Sequence, residues 1–154
     1  NGTISSRLGA AEEAMTALTY VMPGMPLVYS GNEYGLNHSL KFFEKDSIPK
    51  VKGKDWELRA KLGQLKKDNP ALNGGKNPAG FNRINTSSDS TILAFEREKE
   101  GKKVIYVANL SKTNQKVKLE ISGTFTNFMT NEKVTLSEGK EISLQPWQYY
   151  ILTN

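Results

Sequence analysis

Cysteine is missing from this chain, and histidine occurs once, at His38. The first absence removes disulfides, thiol nucleophiles and thiolate metal sites. The second excludes any centre built on two imidazoles. No apolar run reaches the roughly 20 residues of a membrane-crossing helix, and no signal-like charged and apolar regions open the chain. Phosphate-cradling glycine loops are lacking too: Gly74-Gly75 has linker composition around it and no helix after it. No acidic calcium loop is present. The expectations are therefore a soluble protein with no metal, no cofactor and no membrane partner in this chain. Zero cysteines leaves the compartment open, and an exported protein whose signal lies outside these residues fits as well as any other.

What is there is ordinary for a folded domain: 154 residues, 37% apolar and 24% charged. The formal charge of +5 does not read as a nucleic-acid surface. Its lysines are single or paired, at Lys66-Lys67, Lys102-Lys103, Lys116, Lys118 and Lys140, with no basic stripe interleaved with aromatics. Most alternate with inward-facing strand residues, which makes them a solvated outer face.

Residues 5–22 place Leu8, Ala11, Met15, Leu18 and Met22 alternately three and four apart. That spacing predicts a helix with one apolar stripe, started by Ser5 or Ser6 and ended by Pro23-Gly24. Leu27, Val28 and Tyr29 then form a short apolar run without alternation, the mark of a strand covered on both faces. Such a strand needs parallel companions, and none is visible here. Residues 36–54 lack any period and predict a long loop, anchored by Phe42-Phe43. A second helix is expected over residues 56–68, with Asp55 as N-cap and Leu58, Leu62 and Leu65 on one face. From Phe81 the period becomes two, and turn signals at Glu100-Gly101, Asn131-Glu132 and Glu138-Gly139 divide the rest into seven or eight short strands. The last of them, residues 147–152, offers Trp147, Tyr149 and Ile151 as inward groups. A sandwich of antiparallel strands is the expected arrangement.

The run Gly24-Met25-Pro26-Leu27-Val28-Tyr29-Ser30-Gly31-Asn32-Glu33 resembles the eighth barrel strand and following loop of the α-amylase family, glycoside hydrolase family 13. There Gly-x-Pro-aliphatic-aliphatic-Tyr-x-Gly-x-Glu recurs. The likeness continues through Lys41-Phe42-Phe43-Glu44-Lys45-Asp46 and Leu65-Lys66-Lys67-Asp68-Asn69-Pro70, and closes at Leu144-Gln145-Pro146-Trp147-Gln148-Tyr149-Tyr150. It implies an α+β chain: an incomplete (β/α)8-barrel remnant of two helices and one strand, then an antiparallel, Greek-key-like β-sandwich. The implied domains are residues 1–76 and 77–154. With Asn1 rather than Met at the start, a C-terminal fragment of a longer protein is expected.

A retaining glycosidase works with two carboxyl groups flanking the scissile bond. By resemblance these, and a third aspartate after an Asn-His pair, precede Asn1. No catalytic residue is therefore expected here, and any calcium would belong to the missing part of the parent. Asn37-His38-Ser39 imitates the Asn-His-Asp pattern but lacks its aspartate, so His38 is read as an exposed loop residue. Glu33, at the C-terminal end of a barrel strand where such enzymes place their chemistry, is implied to be a framework residue that fixes its loop. Asn32, Tyr34 and Asp46 are implied to touch sugar at the rim of the parent cleft. The expected ligand of the parent is an α-glucan or maltooligosaccharide. A stand-alone carbohydrate-binding sandwich is the other reading, with Phe125, Phe128 and Tyr150 as its sugar platform. For the chain by itself, Leu8, Met15, Leu18, Leu27, Val28 and Leu62 are expected to repack on the sandwich or to drive self-association.

Overall fold

The computed structural model describes residues 2–154; Asn1, first residue of the expected barrel remnant, lies outside them. The chain begins with α1 (Ile4–Leu8), whose first turn is capped by Thr3: its hydroxyl oxygen accepts the Ser6 N–H at 3.2 Å. Gly9, at φ 51°, closes that turn, and a 3-10 turn (Gly9–Ala11) leads into α2 (Glu12–Val21). The single helix expected over residues 5–22 is thus divided at Gly9. Its buried face also differs in part from the predicted stripe. Of that stripe Ala11 and Leu18 are buried and Met15 packs against the core, while Leu8 and Met22 are exposed; Ala14, Ala17, Tyr20 and Val21 complete the buried face. Tyr106 lies beneath this face and donates its hydroxyl to the Ala14 carbonyl at 2.8 Å.

Residues 25–29 form neither helix nor ladder, and Leu27 is 89% exposed. The strand expected at residues 27–29 is not made, because a strand exists only by pairing and every strand of this chain pairs antiparallel elsewhere. The Phe42-Phe43 anchor is likewise not made. The two rings touch only at a tilted 6.0 Å, and Phe43 is 98% exposed.

Helix α3 (Lys54–Asp68) starts two residues earlier than predicted, with Gly53 at the cap. Asp55 lies inside the first turn, where its carboxylate pairs with Arg59 at 3.5 Å. Leu62 and Leu65 are buried as expected and Leu58 packs at the edge. Asn69 ends the helix and accepts the Ala71 N–H, setting a 3-10 turn (Pro70–Leu72).

Eight strands follow: β1 (Gly80–Arg83), β2 (Ile92–Lys99), β3 (Lys102–Asn109), β4 (Gln115–Lys118), β5 (Gly123–Asn127), β6 (Lys133–Leu136), β7 (Glu141–Leu144) and β8 (Tyr149–Thr153). Six make one antiparallel sheet in the order β1-β2-β3-β8-β5-β6, and β4 and β7 make a second. The β2–β3 hairpin turns on Glu100 and Gly101, both at positive φ, the geometry that matches strand twist in a tight hairpin.

Alternation along β3 assigns the layers. Val104, Tyr106 and Ala108 face the helices, joining Leu18, Tyr20, Val21, Leu62, Leu65 and Leu72. Ile105 and Val107 face the small sheet, joining Val117, Leu119 and Leu144. The large sheet is therefore covered on both sides, which is why β2 and β3 read as nearly continuous apolar runs.

One cation ties the layers together. Arg97 of β2 is fully buried and donates to three carbonyls: Gly80 at 2.9 Å, Val21 at 3.2 Å and Asn73 at 2.9 Å. Lys66 of α3 reaches the neighbouring Tyr20 and Leu72 carbonyls at 3.1 and 3.4 Å. Both cations thus sit at the carbonyl end of α2, the favourable pole of a helix for positive charge. Burial lowers the pKa of both groups, and at Lys66 the nearby Arg97 adds to the effect.

Candidate functional site

The resemblance points to the loop between α2 and α3. Gly31 and Gly35, at φ 98° and 66°, bracket a 3-10 turn (Asn32–Tyr34). The Leu36 N–H returns to the Gly31 carbonyl at 3.0 Å. Gly31 has a second reason to be glycine: a Cβ there would stand 2.7 Å from Leu36 Cδ2. Glu33 lies within this turn, and its Oε2 accepts the Gly31 N–H at 3.0 Å. Its carboxylate is directed at the backbone of its own loop.

Tyr34 points the other way, stacking on Trp56 of α3 at 5.6 Å and 17°. Lys52 lies over the same indole at 4.5 Å. Asp46 accepts the Lys41 N–H at 3.1 Å and the Ser47 N–H at 2.8 Å, which holds its carboxyl below the ordinary aspartate range. His38 Nε2 is 3.8 Å from Asp46 and the imidazole is exposed.

A cleft of about 280 Å³ opens beside this loop, lined among others by Tyr29, Ser30, Asn32, His38 and Phe42. Of the implied sugar contacts, Asn32 lines it, Asp46 borders it through His38, and Tyr34 does not line it. The arrangement offers hydrogen-bonding side chains beside exposed rings, which suits a polar ligand with apolar faces. For glycoside cleavage it would need a proton-donating and a nucleophilic carboxyl group. Glu33 and Asp46 both hold backbone N–H groups instead. Among the described residues no group of three or more metal-ligating side chains is assembled.

Two aromatic sites fell outside the sequence reading. Tyr29 and Phe42, expected as a buried strand residue and a loop anchor, are exposed and line the cleft. Trp147, expected inward on the last strand, occupies a turn before β8 at φ 59°. The residues predicted as a sugar platform on the sandwich are covered: Phe125 is buried in the small-sheet core, Tyr150 packs against that core, and Phe128 packs on the helix side with Lys61 near its ring.

With this geometry in place, the likeness to known proteins is specific. Residues 82–151 match the family model of the maltogenic amylase C-terminal domain. Residues 82–151 thus form an amylase-type C-terminal domain. Solved structures extend the likeness in fold over the whole chain. The noncanonic maltogenic α-amylase AmyB from Thermotoga neapolitana superposes with a TM-score of 0.85 at 18% identity, covering 100% of this chain and 39% of that one. The Anoxybacillus α-amylase gives 0.73 at 21% identity over 97% of this chain and 34% of that one. The maltogenic amylase from S. marinus gives 0.69 at 19% identity, over 99% and 21%. The chain thus spans at most about two fifths of the length of these structures. No curated protein sequence matches it. The amylase C-terminal domain begins within β1 and ends within β8, and the helices before it belong to the same shared fold. The resemblance to the α-amylase family is borne out by this domain over residues 82–151 and by the shared fold over the whole chain.

Proposed function

We propose that the chain is the non-catalytic, structural C-terminal part of a glycoside hydrolase acting on α-glucans, divided near residue 76 into a barrel remnant and the amylase C-terminal domain. The observation that carries this reading is a contrast in packing. The six-stranded sheet is covered on both faces, yet Met25, Leu27, Tyr29, Phe42 and Phe43 stand in solvent. An uncovered apolar group of that size is a surface made for a partner. In this reading the partner is the preceding part of the enzyme, and the role of residues 25–47 is to seal it and to shape one rim of its cleft. Asn32 and Asp46 would meet the sugar there. Tyr34, stacked on Trp56, would hold the rim in place, and so would Glu33.

Support for an α-glucan ligand comes from relatives of the same fold: structures titled as complexes with maltotriose and with acarbose are among them. The test is direct. Incubated with soluble starch or maltoheptaose, the chain alone releases no reducing sugar. Release at a rate above that of a heat-denatured control would overturn the non-catalytic reading.

A further inference from the structure

A turn before β8 holds a residue that its backbone does not favour. Gln145-Pro146-Trp147-Gln148 is closed by the Gln148 N–H on the Gln145 carbonyl at 3.1 Å, with Trp147 at φ 59°. Proline second and a positive φ third is the pattern in which glycine is the ordinary third residue, and a bulky side chain there is rare. Burial repays the indole only in part, since Trp147 is half-buried. Trp147 belongs to neither hydrophobic cluster, and among the described residues it stacks on no aromatic ring.

It lines instead a hollow of about 330 Å³ where this turn meets the start of α2. That lies within the roughly 300–1,000 Å³ of small-molecule sites. Polar groups surround the indole. The Gln145 side-chain amide is exposed and has no hydrogen-bond partner among the described residues. Glu13 Oε1 accepts the Tyr149 hydroxyl at 2.7 Å, leaving its second oxygen to accept again. Gln148 is occupied at both ends, by the Gln145 N–H and the Tyr150 hydroxyl. No lysine or arginine lines the hollow, so phosphates and other anions would meet Glu13 unopposed.

We propose that this hollow is an accessory α-glucan docking site, with Trp147 stacking on a glucose ring and Gln145 and Glu13 holding its hydroxyls. Glucose suits it because the ring has an apolar C–H face and a rim of donors and acceptors, the complement of an indole bordered by an amide and a carboxylate. The ligand class rests on the α-glucan reading above. The residues do not: they lie on the amylase C-terminal domain and α2, apart from the cleft at Asn32.

The test is affinity electrophoresis of the 154-residue chain through gels with and without soluble starch, together with maltoheptaose titration followed by tryptophan fluorescence. The wild-type chain is expected to be retarded by starch. Trp147→Gly keeps a residue suited to the positive φ, so it should remain folded while losing retardation and weakening maltoheptaose binding at least about tenfold. Gln145→Ala should weaken binding with melting unchanged. Absence of retardation in the wild type would overturn the docking site, as would undiminished binding by Trp147→Gly. Should Trp147→Gly fail to fold, Gln145→Ala decides alone, and binding equal to wild type would overturn the proposal. Reducing-sugar release, measured on the same samples, bears only on the non-catalytic reading, so the two can fail separately.

Discussion

Single side chains set the response of this molecule to pH. Tyr106 and Tyr149 lie side by side under α2, at 6.1 Å between ring centres. Burial raises the pKa of both phenols, and at Tyr149 the hydrogen bond to Glu13 raises it further. Burial also raises Tyr20, against a smaller opposing effect of Arg59. The unfolded chain releases these protons near pH 10, whereas the folded chain keeps them to higher pH. Stability contributed by the neutral phenols is therefore complete below pH 10 and lost as pH rises above it. Lys66, lowered by burial, acts in the opposite sense over the interval just below its unfolded value. Three tyrosines outweigh one lysine. Urea unfolding at pH 9, 10 and 11 should show stability falling above pH 10, by about 1.4 kcal/mol per pH unit for each phenol still protonated only in the fold. Tyr149→Phe should remove about one proton from that slope; an unchanged slope would show that Tyr149 does not take part.

At the scale of elements, the reading from sequence succeeds where a residue's neighbours are local and fails where they are distant. The strands from Phe81 onward were legible because alternation and turn residues are written within a few positions, as at Lys116-Val117-Lys118 and Glu100-Gly101. The face of α2 was legible only in part. Ala11, Met15 and Leu18 of the predicted stripe do meet the core, but extending that face to Ala14, Ala17 and Val21 requires knowing that Tyr106, distant in sequence, lies beneath. Trp147 was misplaced for a similar reason: period two does not reveal that Pro146 has already turned the chain. The loop motif at residues 24–35 was legible only as resemblance, since nothing local distinguishes a buried strand from the exposed segment found here. That segment carries its own prediction. Sedimentation velocity over a range of concentrations should show self-association of the chain, reduced by Leu27→Ser with Phe43→Ser. Because both residues are exposed, the pair should alter unfolding free energy by no more than about 0.5 kcal/mol each. Association unchanged by the pair would assign it to another surface.

The whole molecule should unfold in one step, although two domains were expected on either side of residue 76. The core that buries Leu18, Leu62 and Leu72 is the same core that buries Phe95, Val104 and Ile151. Arg97 bonds at once to β1, to the end of α2 and to the turn at Asn73. Circular dichroism at a helix-sensitive wavelength and near-ultraviolet tyrosine signals should give coincident urea transitions; separated midpoints would mean that the helices and the sheets open independently. Arg97→Met should cost on the order of 3 kcal/mol or more, since three carbonyls lose a charged donor. It should do so without splitting the transition unless Arg97 is the principal tie.

The order of strands has a consequence for how the protein is made. β8, the last strand along the chain, does not close an edge; it lies between β3 and β5 in the interior of the large sheet. During synthesis β5 and β6 leave the ribosome with no route to the rest of that sheet until residues 149–153 have followed them. The nascent chain passes through an interval with two half-sheets open, a state whose unpaired strand edges favour aggregation.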